Sequence, residues 1–307
     1  TSIKRQAVYN DEGKLIAYDY ENKLKIKTRI CFVVTKAGRE ALVAYNKRLR
    51  AQMHALEVLA EAERPLSGEE LASVQVSAAT LRILCEKGWS ERSEQRVLRN
   101  SYANRTELKE SLHLTDEQRQ AVEAIGSAIT EPHQETFLLQ GITGSGKTEV
   151  YLRVAAQAME AGKQVLLLVP EIALTAQIVK RFQGWFGDEV AVAHSKLSQN
   201  ERADVWYKMR TNSAKLLIGV RSAVFAPFSD LGLIIIDEEH ESSYKQDERP
   251  NYHARTVALK RAQLSGIPVV LGSATPDLES FYKARQGTYT HPVSYTHLRA
   301  HETSLHL

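Results

Sequence analysis

The sequence is poor in the features that identify secreted, zinc-binding or membrane-spanning proteins. Only two cysteines, Cys31 and Cys85, occur among 307 residues, and they lie far apart. Two distant thiols provide neither a disulfide framework nor the ligands of a structural zinc site. No apolar run approaches the roughly 18 residues that span a bilayer, and the first residues do not resemble a signal peptide. We therefore expect a cytoplasmic protein with no structural metal in this chain and no membrane contact.

The chain as a whole also has no large excess of either charge, because 40 Lys and Arg residues nearly balance 37 Asp and Glu residues. The charge is unevenly distributed, since residues 1–50 contain 12 basic and 5 acidic side chains. A basic surface favours nucleic-acid binding because Lys and Arg neutralise phosphates, but a solvated basic face is an equally good interpretation. The length and the 43% hydrophobic content are typical of a globular protein of two domains, with a monomer as the default expectation.

Short apolar runs alternate with helical patterns from Leu114 onward, which indicates an α/β fold. The runs are continuously apolar, so the strands that they predict are buried on both faces, in a parallel sheet covered by helices. The predicted strands cover residues 137–140, 165–169, 215–220, 233–236 and 269–271. We place this domain at residues 114–290.

The preceding residues predict smaller modules. Residues 1–35 are strand-like, and we interpret them as the end of a β-rich domain. Three helical patterns, of which the first covers residues 36–62, and a charged strand then predict a winged-helix domain at residues 36–102. Its third helix contains few cations, so a spacer or protein-contact role remains an alternative to DNA binding. Residues 103–113 are the expected linker.

A glycine-rich loop follows the first buried strand and precedes a helical stretch. It consists of Gly141, Ile142, Thr143, Gly144, Ser145, Gly146, Lys147 and Thr148. Glycines let successive N–H groups point at phosphate oxygens, and the start of the next helix adds a favourable dipole. The loop therefore predicts a nucleotide site, with Lys147 on the β and γ phosphates and Thr148 on Mg²⁺.

A cluster of polar residues, Asp237-Glu238-Glu239-His240, follows the apolar run 233–236. Ligands of open α/β sheets collect at the carboxyl ends of the strands. Together with the phosphate loop, the cluster predicts Asp237 as the partner of Mg²⁺ through its water shell. It also predicts Glu238 as the base that orients the attacking water. A merely solvated acidic loop is the alternative.

A third motif, Ser273-Ala274-Thr275, ends the apolar run 269–271 with small hydroxyl residues. These hydroxyls could transmit the presence or absence of the γ-phosphate to a neighbouring contact surface. In this order the three motifs resemble the DExH branch of superfamily 2 helicases. The resemblance implies a RecA-like P-loop helicase lobe with a parallel sheet.

The detailed residue sequences of four segments resemble those of the primosomal protein N′ (PriA) family of replication-restart helicases. These segments are residues 141–152, 168–175, 237–246 and 251–255. The resemblance implies an ATP- and Mg²⁺-dependent 3′-to-5′ DNA helicase that acts at stalled or branched forks and promotes primosome assembly. It implies forked DNA, single-stranded-DNA-binding protein and primosome proteins as partners.

The resemblance assigns roles to further residues. Gln118 would contact adenine, and the alternative is a helix N-cap at Thr115 with an exposed Gln118. Residues 172–177, and Arg221 with Ser222, would contact the DNA backbone. Arg221 could equally be a structural ion-pair partner.

The resemblance also identifies an aromatic-rich loop that couples DNA engagement to hydrolysis. The residues assigned to DNA contact or coupling here are Tyr244, Lys245, Arg249, Tyr252, His253 and Arg255, together with Ser273 and Thr275 of the third motif. Aromatic faces stack on unpaired bases, and cations follow the nucleic-acid backbone. The alternative is that the aromatics pack under a surface loop.

Several parts depart from the family pattern. Residues 1–35 correspond only to the tail of the family's 3′-end-binding domain, and the family's second helicase lobe and multi-cysteine zinc region are not present. We expect residues 291–307 to be disordered and foreign to the family. Because an arginine from the second lobe stabilises the transition state, hydrolysis by this chain should be feeble. The alternatives to a helicase are a duplex-DNA translocase and a DNA- and nucleotide-binding module without turnover.

Overall fold

The chain divides into two compact units, Thr1–Asn100 and Ser101–Leu307. The computed structural model describes the secondary structure of residues 5–9, 15–20, 28–44, 49–96, 113–142, 144–292 and 294–295. The predicted linker at 103–112 and Thr143 of the phosphate loop lie outside these residues.

The first unit contains an antiparallel hairpin followed by a mixed α/β module. Its elements are β1 (Arg5–Tyr9), β2 (Leu15–Tyr20), β3 (Thr28–Val34), α1 (Lys36–Val43), α2 (Arg50–Glu61), β4 (Leu66–Ser67), α3 (Gly68–Ser73), α4 (Ala78–Glu86) and β5 (Ser90–Arg96). The predicted helix over residues 36–62 is therefore two helices. Leu42 and Leu49 reach the same core from separate helices, so their spacing imitates one continuous apolar stripe.

The module is built on a three-stranded antiparallel sheet of order β4-β3-β5. Leu56, Leu71 and Leu84, which are fully buried, bring α2, α3 and α4 into one core against it. The β3 strand pairs with β5 along its whole length. Residues 28–34 thus belong to this sheet, although we predicted the module to begin at residue 36. Its identity as a winged helix stays a prediction.

The second unit alternates strands with helices. Its elements are α5 (Asp116–Thr130), β6 (Thr136–Gly141), α6 (Lys147–Glu160), β7 (Gln164–Leu168), α7 (Ala176–Phe186), β8 (Val190–Ala193), α8 (Gln199–Arg210), β9 (Leu216–Gly219), β10 (Leu231–Ile236), β11 (Lys245–Gln246), β12 (Tyr252–His253), α9 (Ala254–Ser265), β13 (Val269–Ser273), α10 (Leu278–Arg285) and β14 (Ser294–Tyr295). All five predicted strands are present. The short β8 strand was missed, because its four small or β-branched residues give a weak apolar signal.

The central sheet of this unit is parallel, with the strand order β14-β6-β13-β10-β7-β9-β8 in the described residues. The β10 strand illustrates why its sequence is continuously apolar. Leu233 and Ile235 enter the core that includes residues of α5, α6 and α7, whereas Ile234 and Ile236 enter the core that includes residues of α9. Side chains alternate between the faces of a strand, so both faces must be apolar when both are covered. The predicted parallel α/β fold is confirmed.

The strand order also decides where the three motifs meet. The β13 strand lies between β6 and β10. The loops that follow these three strands contain the phosphate loop, the Asp237 cluster and the third motif. All three motifs therefore lie at one edge of the sheet.

The final described residues differ from the prediction for residues 291–307. Ser294 and Tyr295 form β14 and pair in parallel with Gln140 and Gly141. That the rest of residues 291–307 is disordered and foreign to the family stays a prediction. Residues 296–307 lie outside the described part of the chain.

Candidate nucleotide site

The phosphate loop has the backbone conformation that its glycines predict. Gly144 and Gly146 have φ angles of +82° and +84°, in the left-handed region that favours glycine. An added Cβ at Gly146 would also lie 2.3 Å from Nε2 of Gln118, so the Gln118 side chain would have to shift. Gly146 caps the start of α6 without a side-chain hydrogen bond, and the N–H of Glu149 already donates to the carbonyl of Gly146 at 2.9 Å. The N–H groups of Lys147 and Thr148 are therefore those suited to bind an anion.

The loop borders a pocket of about 260 Å³ that also contains both predicted carboxylates. The lining residues are Ile142, Gly144, Ser145, Gly146, Lys147, Thr148, Arg181, Asp237 and Glu238. Ser145 Oγ is buried and has no hydrogen-bond partner within the described residues. An unpartnered hydroxyl, two cations and a helix N-terminus match the needs of phosphate oxygens. These residues therefore fit ATP. Thr148 and Asp237, which we predicted to hold Mg²⁺, line the same pocket.

Lys147 is already placed at the centre of this pocket. Its ammonium group donates to the carbonyl of Gly141 at 2.8 Å and pairs with Oε1 of Glu238 at 3.4 Å. The side chain is buried. The predicted phosphate ligand and the predicted catalytic base thus contact each other.

Gln118 lies against the phosphate loop. Thr115 caps α5 by accepting from the N–H of Gln118, and the Gln118 side chain accepts from the N–H of Thr115 at 3.0 Å. The other end of the amide donates to the carbonyl of Ser145 at 3.1 Å. The capping alternative is right about Thr115 but wrong about exposure, since Gln118 is buried. Contact with adenine stays a prediction.

Asp237 is held at two points directly after β10. The Tyr151 hydroxyl donates to its Oδ1 at 2.9 Å, and the Tyr244 hydroxyl donates to its backbone carbonyl at 2.6 Å. Burial raises the pKa of the Asp237 carboxyl, which the hydrogen bond from Tyr151 partly opposes. Burial disfavours the charged form of this carboxylate, and the nearby charge of Lys147 favours it.

Glu238 adopts a conformation that is unusual for a residue with a side chain. Its φ is +43°, in the left-handed region. This conformation turns the carboxylate toward Lys147, and the N–H of Ala274 approaches its Oε2 at 3.4 Å. Residues in strained conformations cluster at functional sites, where the surrounding structure holds them. The loop is therefore built around Glu238 and is not a merely solvated turn.

The third motif contacts the Asp237 cluster through His240. Its Nδ1 lies 2.7 Å from Oγ of Ser273, and its Nε2 lies 3.5 Å from Oγ1 of Thr275. Ser273 is buried, whereas Thr275 is exposed. A hydrogen-bonded route therefore runs from the carboxylate cluster to an exposed hydroxyl.

Arg255 lies in an internal ion-pair network, although we predicted that it contacts DNA or couples DNA to hydrolysis. Its guanidinium binds the carboxylate of Glu239 and lies 2.8 Å from Asp277. The side chain of Glu239 is completely buried, and that of Arg255 is only 13% exposed. A buried carboxylate must be paired, which explains why the arginine points inward. The direct DNA contact predicted for Arg255 is not available in this arrangement.

The other residues of the aromatic-rich loop divide into buried and exposed groups. Tyr244 is fully buried, so for it the packing alternative is right. Tyr252 is half-buried and packs edge-on against Phe225, with ring centroids 4.9 Å apart. His253 caps α9, and burial lowers the pKa of its imidazole, as does the charge of Arg255.

The exposed members of the loop region are polar. Lys245 and Arg249 are exposed, and Lys245 pairs with Asp247 at 2.9 Å. Arg221 donates to the backbone carbonyl of Lys245 at 2.6 Å, and Ser222 is exposed. Arg221 therefore connects the end of β9 to the loop through a carbonyl, and not through the ion pair that we considered.

Two residues of the site were not predicted from the sequence. Tyr151 contacts Asp237, as described above. Arg181 of α7 lines the phosphate pocket and donates to the buried carboxylate of Glu149 at 3.1 Å. Tyr151 lies four residues after Lys147 on α6, so helical spacing could have placed it near the loop. No local pattern distinguishes Arg181.

The described residues contain no group of three or more His, Cys, Asp or Glu side chains that could hold a metal ion by themselves. In the described part of the chain neither Cys31, which is buried, nor Cys85, which is half-buried, forms a disulfide bond. No helix among these residues is long and apolar enough to cross a bilayer.

Comparison with known proteins agrees with this geometry. The DEAD/DEAH box helicase family matches residues 115–283. The replication restart protein PriA of Bacillus subtilis is 47% identical over 251 residues, which are 81% of this chain and 31% of that protein. The PriA proteins of Synechocystis and Haemophilus influenzae are 46% and 40% identical, over 69% and 85% of this chain and 25% and 36% of their own lengths. The chain thus spans about a quarter to a third of these relatives.

Proposed function

The chain belongs to the DEAD/DEAH box helicase family and contains a RecA-like helicase lobe, and we propose that it is part of an ATP-dependent DNA helicase of replication restart. The proposed enzyme acts at stalled or branched forks, moves 3′ to 5′ and promotes primosome assembly. The high identity to PriA proteins supports this proposal. Forked DNA, single-stranded-DNA-binding protein and primosome proteins are its proposed partners.

One observation carries the catalytic part of the proposal. The 260 Å³ pocket brings Lys147, Asp237 and Glu238 together, although these residues come from distant parts of the sequence. The pocket is small and polar, as a triphosphate and its cation require. In-line phosphoryl transfer depends chiefly on positioning and charge stabilisation, which this arrangement offers.

The residues of the pocket have separate tasks in the proposed reaction. ATP is the substrate that supplies the γ-phosphoryl group, and Mg²⁺ held by Thr148 and Asp237 would neutralise charge on its oxygens. Lys147 exchanges its contact with Glu238 for phosphate oxygens, which frees the Glu238 carboxylate to accept the proton of the attacking water. Thr148 and Asp237 hold the cation, and Gln118 contacts the adenine.

DNA contact is proposed for the exposed polar residues near the end of β9 and in the aromatic-rich loop. Arg221, Lys245 and Arg249 supply cations and Ser222 supplies a hydroxyl, which are the groups that contact a phosphate backbone. Their link to the pocket is the Arg221 contact with the loop and the Tyr244 contact with Asp237. Movement of the loop on DNA would therefore reach a carboxylate that holds Mg²⁺.

A binding module without turnover is the second candidate. The arginine that stabilises the transition state comes from a second lobe in this superfamily, and such an arginine is worth roughly a thousand-fold or more in rate. Nucleotide binding by this chain without measurable hydrolysis, together with DNA-stimulated hydrolysis after extension through a second lobe, would support the helicase proposal. Equal, DNA-independent hydrolysis in both proteins would contradict it.

The Lys147→Ala substitution is expected to weaken ATP binding by about 100-fold, because it removes the cation on the phosphates and leaves Glu238 as an unpaired negative charge beside them. Fluorescence titration with a methylanthraniloyl nucleotide measures the change. Lys163→Ala is the matched control, since Lys163 pairs with Asp230 at 3.0 Å and does not line the pocket. Equal affinities of the two variants would contradict the assigned pocket.

The Arg181→Ala substitution is expected to weaken nucleotide binding by about five-fold. The effect is smaller because the Arg181 side chain is 42% exposed and solvent screens its charge. Glu149 keeps its partner Arg153 at 3.2 Å, so the variant should fold normally. The neighbouring exposed Lys180→Ala is the control, and the same titration should leave its affinity unchanged.

A further inference from the structure

Tyr151 lies where all three motifs meet, yet no sequence pattern gave it a role. Its side chain is 1% exposed, and its hydroxyl donates to Asp237 Oδ1 at 2.9 Å. Lys147 and Thr148 precede it by four and three residues on α6, so the three side chains share one face of the helix. The helix that presents the phosphate lysine and the Mg²⁺ threonine thus also presents a donor to the Mg²⁺ carboxylate.

The absence of a side chain at Gly272 in β13 leaves space for this hydroxyl. A Cβ added at Gly272 would lie 1.7 Å from the Tyr151 hydroxyl and 3.5 Å from Asp237 Oδ1. Gly272 does not have a positive φ, so the property that it contributes is the absence of a side chain. The close packing of three separate elements around one hydroxyl indicates a defined position for the bond.

The bond also restricts the rotation of a buried carboxylate. A carboxylate has about four acceptor sites, so one bond from Tyr151 leaves others for water. The backbone of Asp237 is fixed separately by the hydroxyl of Tyr244 at 2.6 Å. With both the backbone and Oδ1 fixed, the remaining acceptor directions point the same way before and after a ligand binds.

We propose that Tyr151 is a positioning residue that orients the Asp237 carboxylate toward the water shell of nucleotide-bound Mg²⁺. This inference rests on the function proposed above. An acceptor that is oriented in advance loses no rotational freedom when the hydrated cation arrives, so the cation binds more tightly. Tyr151 should therefore affect how strongly Mg²⁺ promotes nucleotide binding, and should have little effect on nucleotide binding without the cation.

Tyr151→Phe and Tyr244→Phe form a matched pair for this test. Each removes one buried hydroxyl from Asp237, but only Tyr151 contacts the carboxylate. We would titrate the whole chain with methylanthraniloyl-ATP in EDTA and over a range of MgCl₂ concentrations. Tyr151→Phe should raise the Mg²⁺ midpoint roughly ten-fold, the size of one hydrogen bond to a charged group. Its affinity in EDTA should stay within about two-fold of the unsubstituted chain.

Binding of Mn²⁺, followed by the decrease of the free-ion electron paramagnetic resonance signal in the presence of nucleotide, gives a second readout. It should show the same weakening in Tyr151→Phe. Tyr244→Phe removes only a bond to the Asp237 backbone, so it should weaken both cation measurements less than Tyr151→Phe does. If Tyr151→Phe does not fold, Gly272→Ala displaces the same hydroxyl and should raise the Mg²⁺ midpoint instead.

The possible outcomes distinguish a failure of this inference from a failure of the proposed function on which it rests. An unchanged midpoint in Tyr151→Phe, or equal increases in both tyrosine variants, would overturn the positioning role while Lys147-dependent binding remained. If nucleotide binding did not depend on Lys147, the proposed function and this inference would both fail.

Discussion

Glu238→Gln is expected to lower ATP turnover about a thousand-fold while nucleotide binding is retained, because an amide keeps the shape of the side chain but cannot accept the proton of water. The residue lies 3.4 Å from Lys147 and has a φ of +43°, so its carboxylate is held over the pocket. Loss of the negative charge should also free Lys147 for phosphate. Affinity for ATP should therefore be unchanged or slightly higher.

Turnover is best measured with phosphate release on a chain extended through a second helicase lobe, with and without forked DNA. Nucleotide affinity is measured on both lengths. Glu160→Gln is the matched control, because Glu160 is an exposed carboxylate at the far end of α6. A loss of turnover below about ten-fold would show that another group accepts the proton.

Arg255→Ala is expected to lower the free energy of unfolding by about 3–5 kcal/mol, because it leaves the buried carboxylate of Glu239 without a cation. In the described residues no other Lys, Arg or His side chain pairs with Glu239. The remaining partners are the N–H of Asp277 at 2.8 Å and the hydroxyl of Ser280 at 3.0 Å. Two neutral donors do not balance a buried charge in a medium of low dielectric constant.

Arg153→Ala provides a contrasting control on another buried carboxylate. Glu149 has two arginine partners, and Arg181 remains at 3.1 Å after the substitution. The expected loss is therefore only about 1 kcal/mol, which includes the contact of Arg153 with the Trp185 ring. Urea denaturation followed by circular dichroism, fitted with a transition for each unit, measures both variants.

The double variant Arg255→Ala with Glu239→Gln tests the stated cause. Removal of the buried charge should restore at least about 2 kcal/mol relative to Arg255→Ala alone. A double variant as unstable as the sum of the single ones would mean that packing of the arginine, and not the unpaired charge, determines the loss.

The local parts of the site could be predicted from the sequence. Gly144 and Gly146 have the left-handed conformations that a phosphate loop needs, and Thr115 caps α5 as its residue type suggests. The five predicted strands are present because residues buried on both faces of a sheet are continuously apolar. Each of these features leaves a recognisable pattern in a short stretch of sequence.

Some residues of the aromatic-rich loop are of a type that is compatible with two environments. Tyr and Arg side chains combine an apolar body with a polar end, so they suit a DNA-facing loop and an interior equally well. Tyr244 and Arg255 lie in the interior, where Asp237 and Glu239 bind their polar ends. Lys245 and Arg249 come from the same stretch of sequence and are exposed. Their composition alone does not separate the two groups.

Short stretches of sequence are enough to predict the phosphate loop, the carboxylate cluster, the buried strands and their alternation with helices, because neighbouring residues encode each of them. The bond from Tyr151 to Asp237, which is 86 residues away, and the position of Arg181 of α7 in the pocket become visible only in the folded protein. The order of strands in the sheet determines which loops are adjacent, and the packing of helices determines which polar ends are buried. Both depend on contacts between distant residues, which a local pattern does not contain.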